Sequence, residues 1–220
     1  MTATLSGPVF GPFRAPAKQL VAFLHGVGAD GDDLIGLAPE IGEILPHAAF
    51  CSPNAPERCD FSPMGFQWFS LSDRRPEALL EGVKRAAPVL NNFLDAELSR
   101  FGLDDRALAV IGFSQGTMTA LYTMLRRKNP CAGIVGFSGA LLGAETLGRE
   151  ITARPPVLLV HGDQDPVVPY QALSHAVAVL SANAVPVESH TRPGLGHGID
   201  GPGLALGVRF LQKVFAPAGP

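Results

Sequence analysis

The sequence predicts a single α/β domain over residues 1–220, with a mostly parallel central sheet flanked by helices and no large lid domain. Three observations predict it. Short apolar runs alternate with segments whose apolar residues recur at helical spacing, the pattern of strands joined by crossover helices. The chain is 46% hydrophobic and only 17% charged, enough apolar material for a large core. Its 25 glycines and 20 prolines break it into tightly connected elements, with no linker long enough to divide domains and no internal repeat.

Taken in order, Gln19–Leu24 and residues 48–52 are expected strands. From Pro76 to about Phe101 a helical face is kept by Leu79, Val83, Leu90, Leu94 and Leu98, with a kink or restart expected at Pro88. Residues 107–113 form a buried strand, and 115–127 a helix with Met118, Leu121 and Leu125 on one side. Further strands are expected at 134–137, 157–160 and 185–191, and helices at 170–180 and 204–215, before a frayed tail at 216–220. Residues 53–75 fit neither period. They carry prolines together with Phe61, Met64, Phe66, Trp68 and Phe69, so they either cover the core or wall an apolar substrate site.

The net charge of −3 is spread along the chain, and the one basic cluster, Arg126-Arg127-Lys128, falls where the last turn of a helix is expected. Nucleic acid is therefore not an expected partner. Cys51, Cys59 and Cys131 are odd in number and lack C-x-x-C spacing, which argues against a disulfide framework or a metal site. With no apolar run of 18 residues and no signal-like N-terminus, the chain reads as soluble and cytoplasmic, without stable membrane insertion. A homodimer is neither required nor excluded.

Gly112-Phe113-Ser114-Gln115-Gly116 matches G-x-S-x-G, a weak signal by itself in a glycine-rich chain. Its context strengthens it: the motif directly follows an apolar strand and opens a helix, as a nucleophile elbow requires. Ser138 also ends a strand but lacks the second glycine and a following helical run, and is read as structural. Of six histidines, His197 alone lies in a glycine-rich loop between the last strand and the last helix, late enough to serve as base to Ser114. The acid belongs on a strand end between them, where Asp163 and Asp165 compete; residue chemistry favours neither, since both can cap turns. Two backbone donors are needed for an oxyanion: Gln115 N–H follows the nucleophile, and Val27 N–H lies in the small-residue loop His25-Gly26-Val27-Gly28.

Together these segments, with His161-Gly162-Asp163-Gln164-Asp165-Pro166-Val167-Val168-Pro169 and Gly196-His197, resemble the phospholipase/carboxylesterase family, which includes acyl-protein thioesterases and small bacterial carboxylesterases. The resemblance implies the α/β-hydrolase fold, a cofactor-free serine hydrolase acting on a small-molecule ester or thioester, and Asp165 as the triad acid. It supports Val27 and Gln115 as donors and implies a substrate-side position for Trp68, Phe69 and Val168. After Trp68-Phe69 the thioesterase branch usually has aspartate, whereas this chain has Ser70, which leans the expectation toward a carboxylesterase of short to medium acyl esters. Serine rather than cysteine at position 114 argues against a dienelactone-hydrolase-like activity. A non-catalytic binding protein on this scaffold would be expected to have lost a triad member, and all three are present.

Overall fold

The computed structural model describes residues 5–216. The expected tail at 216–220 therefore lies, beyond Ala216, outside the described residues. In chain order the elements are β1 (Val9–Phe10), β2 (Gln19–Leu24), α1 (Gly31–Ile35), α2 (Ala38–Ile44), β3 (Ala48–Cys51), β4 (Glu57–Arg58), β5 (Phe66–Gln67) and α3 (Pro76–Phe101). There follow β6 (Leu108–Phe113), α4 (Gln115–Met124), β7 (Gly133–Phe137), α5 (Ala144–Glu150), β8 (Val157–Gly162), α6 (Gln171–Ala182), β9 (Val187–Arg192) and α7 (Gly201–Val214).

Seven strands form one sheet in the order β1-β3-β2-β6-β7-β8-β9, parallel except for β1. Alternation along the central strands divides the core. Leu20, Ala22, Leu24, Val110, Ile134 and Leu159 face α3, α4 and α6, while Val21, Phe23, Ile111, Val135, Phe137 and Val160 face α1, α2 and α7. Both faces are thus covered, which is why these strands read as unbroken apolar runs. The chain builds outward from β2 to β3, then reverses and builds the other way from β6. The carboxyl ends of β2 and β6, paired Leu24 to Gly112, form the switch point where such sheets bind ligands.

Two expectations are corrected. No restart occurs at Pro88: α3 runs 26 residues through it. Pro88 and Lys84 both lie on the exposed face, so the carbonyl deprived of its donor faces water. The helix expected to reach residue 127 ends at Met124. Arg126 follows its end, donating to the last-turn carbonyl of Tyr122 at 3.3 Å, binding Glu150 at 2.7 Å and stacking over the Tyr122 ring, while Arg127 binds Asp95 and Asp105, so the two arginines are held by carboxylates as well as by the helix terminus. Among the described residues no helix is long and apolar enough to cross a membrane, and the three cysteines are free and buried.

Candidate active site

Ser114 joins β6 to α4 with φ 53° and ψ −116°, a conformation that is strained for a residue with a side chain. The flanking glycines make the turn possible. A Cβ on Gly112 would lie 2.5 Å from Thr117 N, and one on Gly116 would lie 1.9 Å from the Leu24 carbonyl oxygen. The Thr117 hydroxyl braces the turn, within 2.7 Å of the Gly112 carbonyl oxygen and 2.9 Å of that of Phe137. Ser138 also has a positive φ, but its hydroxyl oxygen is closed off from solvent without a hydrogen-bond partner among the described residues, and α5 begins only six residues later.

His197 lies in the loop between β9 and α7. Its Nδ1 is 2.7 Å from Asp165 Oδ2, and its ring packs 4.9 Å from that of Phe113, the neighbour of Ser114. The loop is anchored on the end of β8: Gln164 N donates to Leu195 O at 3.0 Å, and Gly194 N donates to Asp163 Oδ1 at 2.7 Å. Only a glycine fits at position 162, because a Cβ there would meet Leu195 O at 2.2 Å. Thus Asp163 fastens the loop, and Asp165 holds the ring it carries. The Ser114 hydroxyl makes no hydrogen bond to His197 in this structure; such contacts commonly tighten only when substrate binds.

The Asp165 carboxylate is buried and fully engaged. Its Oδ1 accepts from Val167 N (2.8 Å) and Val168 N (2.9 Å). Beside His197, Oδ2 also faces His161 Nε2 at 3.3 Å, and that nitrogen is 3.0 Å from Val168 O. Facing two oxygen acceptors, His161 Nε2 carries the ring proton. Burial pushes the Asp165 pKa up, but the hydrogen bonds from His197, Val168 and Val167 outweigh it and hold the carboxyl below its ordinary range.

The loop after β2 lies against the elbow. A Cβ on Gly26 would be 3.1 Å from the Phe113 ring and 3.5 Å from Ser114 Cβ. Among the described residues neither Val27 N–H nor Gln115 N–H has a hydrogen-bond acceptor. An unpaired donor is ordinary in the first turn of a helix, as at Gln115, and less so at Val27 in a half-buried loop.

Side-chain roles that the sequence did not disclose hold this loop in place. Gln115 Oε1 accepts from Trp68 N at 2.8 Å, and its Nε2 donates to Phe69 O at 2.7 Å. The Trp68 indole N–H donates to His25 O at 3.0 Å; His25 Nε2 accepts from Ala55 N, and its Nδ1 donates to Gly26 O. Burial lowers the His25 pKa, against an opposing contribution from the Gly26 carbonyl. The available signal was a glutamine directly after Ser114, at the start of a helix packed on the sheet. Trp68, Phe69 and Val168 are themselves buried: Phe69 packs on Gly82, and Val168 binds Asp165 and His161 through its backbone.

Residues 53–75 contain the β4–β5 hairpin, which clips onto the loop after β2 through Gly28 N to Phe66 O and Phe66 N to Ala29 O, both 2.8 Å. Ser70 donates to Asp60, and Ser72 Oγ lies 3.1 Å from the same carboxylate oxygen, so a carboxylate from elsewhere in the loop stands against Ser70. A cavity of about 310 Å³ lies beside Phe113, between α1, residues 198–201 and Leu204. A second, of about 570 Å³, lies between the start of α3 and residues 141–146. Trp68, Phe69 and Val168 line neither. Among the described residues no three His, Cys, Asp or Glu side chains are grouped to hold a metal.

A parallel sheet with a strained serine turn at its switch point defines an α/β-hydrolase of the serine-hydrolase class. The chain belongs to the phospholipase/carboxylesterase family, whose profile matches residues 10–215. Acyl-protein thioesterase 1 of Schizosaccharomyces pombe is 30% identical, over 97% of this chain and 98% of that protein. Among solved structures, esterase PE8 is 40% identical with a TM-score of 0.94, covering 97% of this chain and 100% of that one. Acyl-protein thioesterase 2 of Zea mays is 28% identical with a TM-score of 0.71, covering 95% and 99%.

Proposed function

We propose that the protein is a serine carboxylesterase that hydrolyses short to medium acyl esters through Ser114, His197 and Asp165. The observation that carries this is the 2.7 Å contact of His197 Nδ1 with the buried Asp165, beside a serine held at the elbow. With Nδ1–H donated to Asp165, the Nε2 lone pair is free to take the Ser114 proton as the hydroxyl attacks the ester carbonyl. Val27 and Gln115 N–H groups receive the oxyanion, each worth about two orders of magnitude or more in rate. The alcohol leaves, and water, activated by the same histidine, releases the acid from the acyl-enzyme. Acyl chains gain up to about 0.8 kcal/mol per buried CH₂ until the groove ends, and with no large lid it ends early.

A thioesterase role on the same site is favoured by the names of the relatives from S. pombe and Zea mays. Ser70 in place of aspartate favours oxygen esters. The test compares p-nitrophenyl esters from acetate to decanoate with matched acyl thioesters. Higher kcat/KM is expected on oxygen esters, and the reverse order would establish the thioesterase. Ser114→Ala should remove turnover by about a million-fold, and a fluorophosphonate adduct mapped to Ser138 instead would refute the assignment.

A further inference from the structure

We propose that the cavity beside Phe113 receives the alcohol portion of the ester and selects bulky, apolar alcohols that carry no negative charge; this rests on the serine-esterase function proposed above. Most of the lining is apolar, from Leu34, Leu37, Phe113, Ile199 and Leu204, and Asp33 and Asp200 are its two carboxylates. At about 310 Å³ it stands at the small end of ligand-sized pockets, the scale of a side group rather than of a whole substrate.

Its position follows the chemistry of the leaving group. When the tetrahedral intermediate collapses, the bond from carbon to the alcohol oxygen breaks and its electron pair stays on that oxygen. His197 Nε2 returns its proton there, leaving the acyl carbon bonded to Ser114 Oγ. The alcohol oxygen must then lie within reach of His197, while the carbonyl oxygen points to Val27 and Gln115. The Phe113 ring packs against His197, and Gly198 follows it directly, so the cavity lies on the histidine side of the nucleophile. Space there is kept open by missing side chains: a Cβ on Gly198 or Gly201 would meet nothing within 4 Å.

Charge narrows the class further. Asp200 is neutralised by Arg192 at 3.0 Å, whereas Asp33 has no ion-pair partner among the described residues. A phosphate or carboxylate on the alcohol would meet that uncompensated carboxylate.

The test holds the acyl group at acetyl and varies the alcohol. Cyclohexylmethyl acetate should exceed methyl acetate in kcat/KM by about tenfold or more in the wild type. Gly201→Leu, at an open helix start with an ordinary φ, should cut that ratio by about tenfold. Equal losses on both esters, or an unchanged ratio, would overturn the cavity's role. Fluorophosphonate labelling of Ser114 in the same variant separates the two ideas: a labelled serine with an unchanged ratio defeats only the alcohol site, and a wild-type serine that never labels defeats the esterase itself. Asp33→Asn supplies a second arm at an exposed position, where folding is not at stake. It should raise kcat/KM for the acetyl ester of 4-hydroxybutyrate about threefold relative to butyl acetate, and an unchanged ratio there would overturn the charge selection.

Discussion

Asp163 and Asp165 stand two positions apart, yet one binds the backbone of Gly194 and the other the ring of His197. The consequence for turnover differs in kind. Asp165→Asn presents an amide where His197 needs an acceptor, so kcat should fall by about three to four orders of magnitude while KM changes little. Asp163→Asn weakens an anchor of the His197 loop, and its effect should appear as a lowered thermal midpoint with most of kcat retained. Steady-state kinetics and thermal melts on both variants check this, and equal catalytic losses with intact folding would leave the acid unassigned. The elbow was legible in the sequence because Gly112 and Gly116 report the crowding directly. The choice between the two aspartates was not legible from residue chemistry, since it depends on which way the chain turns after β8. Family resemblance pointed to Asp165, the carboxylate that meets His197 in the structure.

Elements buried on both faces announced themselves: the expected strands at 19–24, 107–113 and 157–160 match β2, β6 and β8 to within two residues at either end. The helices α1, α2 and α5 were missed because five to seven residues complete at most two turns, too few to show a period. Residues 53–75 stood between core cover and substrate wall, and the structure shows a clip fastened to the loop after β2 at His25, Gly28 and Ala29 and to the side chain of Gln115. One of these bonds, from Ala55 N to the His25 ring, ends on a group that titrates. His25 is buried and its pKa lies below its ordinary value, whereas the unfolded chain takes up the proton near pH 6.5. Below that pH the unfolded state holds more protons than the folded one. The stabilisation is therefore complete above about pH 6.5 and is lost as pH falls toward the depressed value. The thermal midpoint should drop between pH 7 and pH 5, by roughly 2–4 °C per kcal/mol in a domain of this size. His25→Asn should flatten that part of the curve, and parallel profiles for the two proteins would clear His25 of the effect.

Across the whole molecule, the proposed nucleophile comes from the centre of the sheet and the proposed base from its border. β6 is paired on both sides, whereas among the described residues β9 pairs with β8 alone. The loop carrying His197 follows that border strand. Amide exchange should accordingly be faster over residues 187–200 than over 108–113, because edge segments open locally at lower cost than the centre. The chain's single tryptophan, Trp68, is buried against His25 near the middle of the sheet and reports the persistence of that region. In a urea titration, esterase activity should vanish at a lower concentration than the change in tryptophan fluorescence, giving a form that is still folded by one probe and already inert by the other. Coincident transitions would mean that border and centre open together. If they separate, inactivation in mild denaturant is a frontier event, reversible by dilution, in a protein whose interior has not yet yielded.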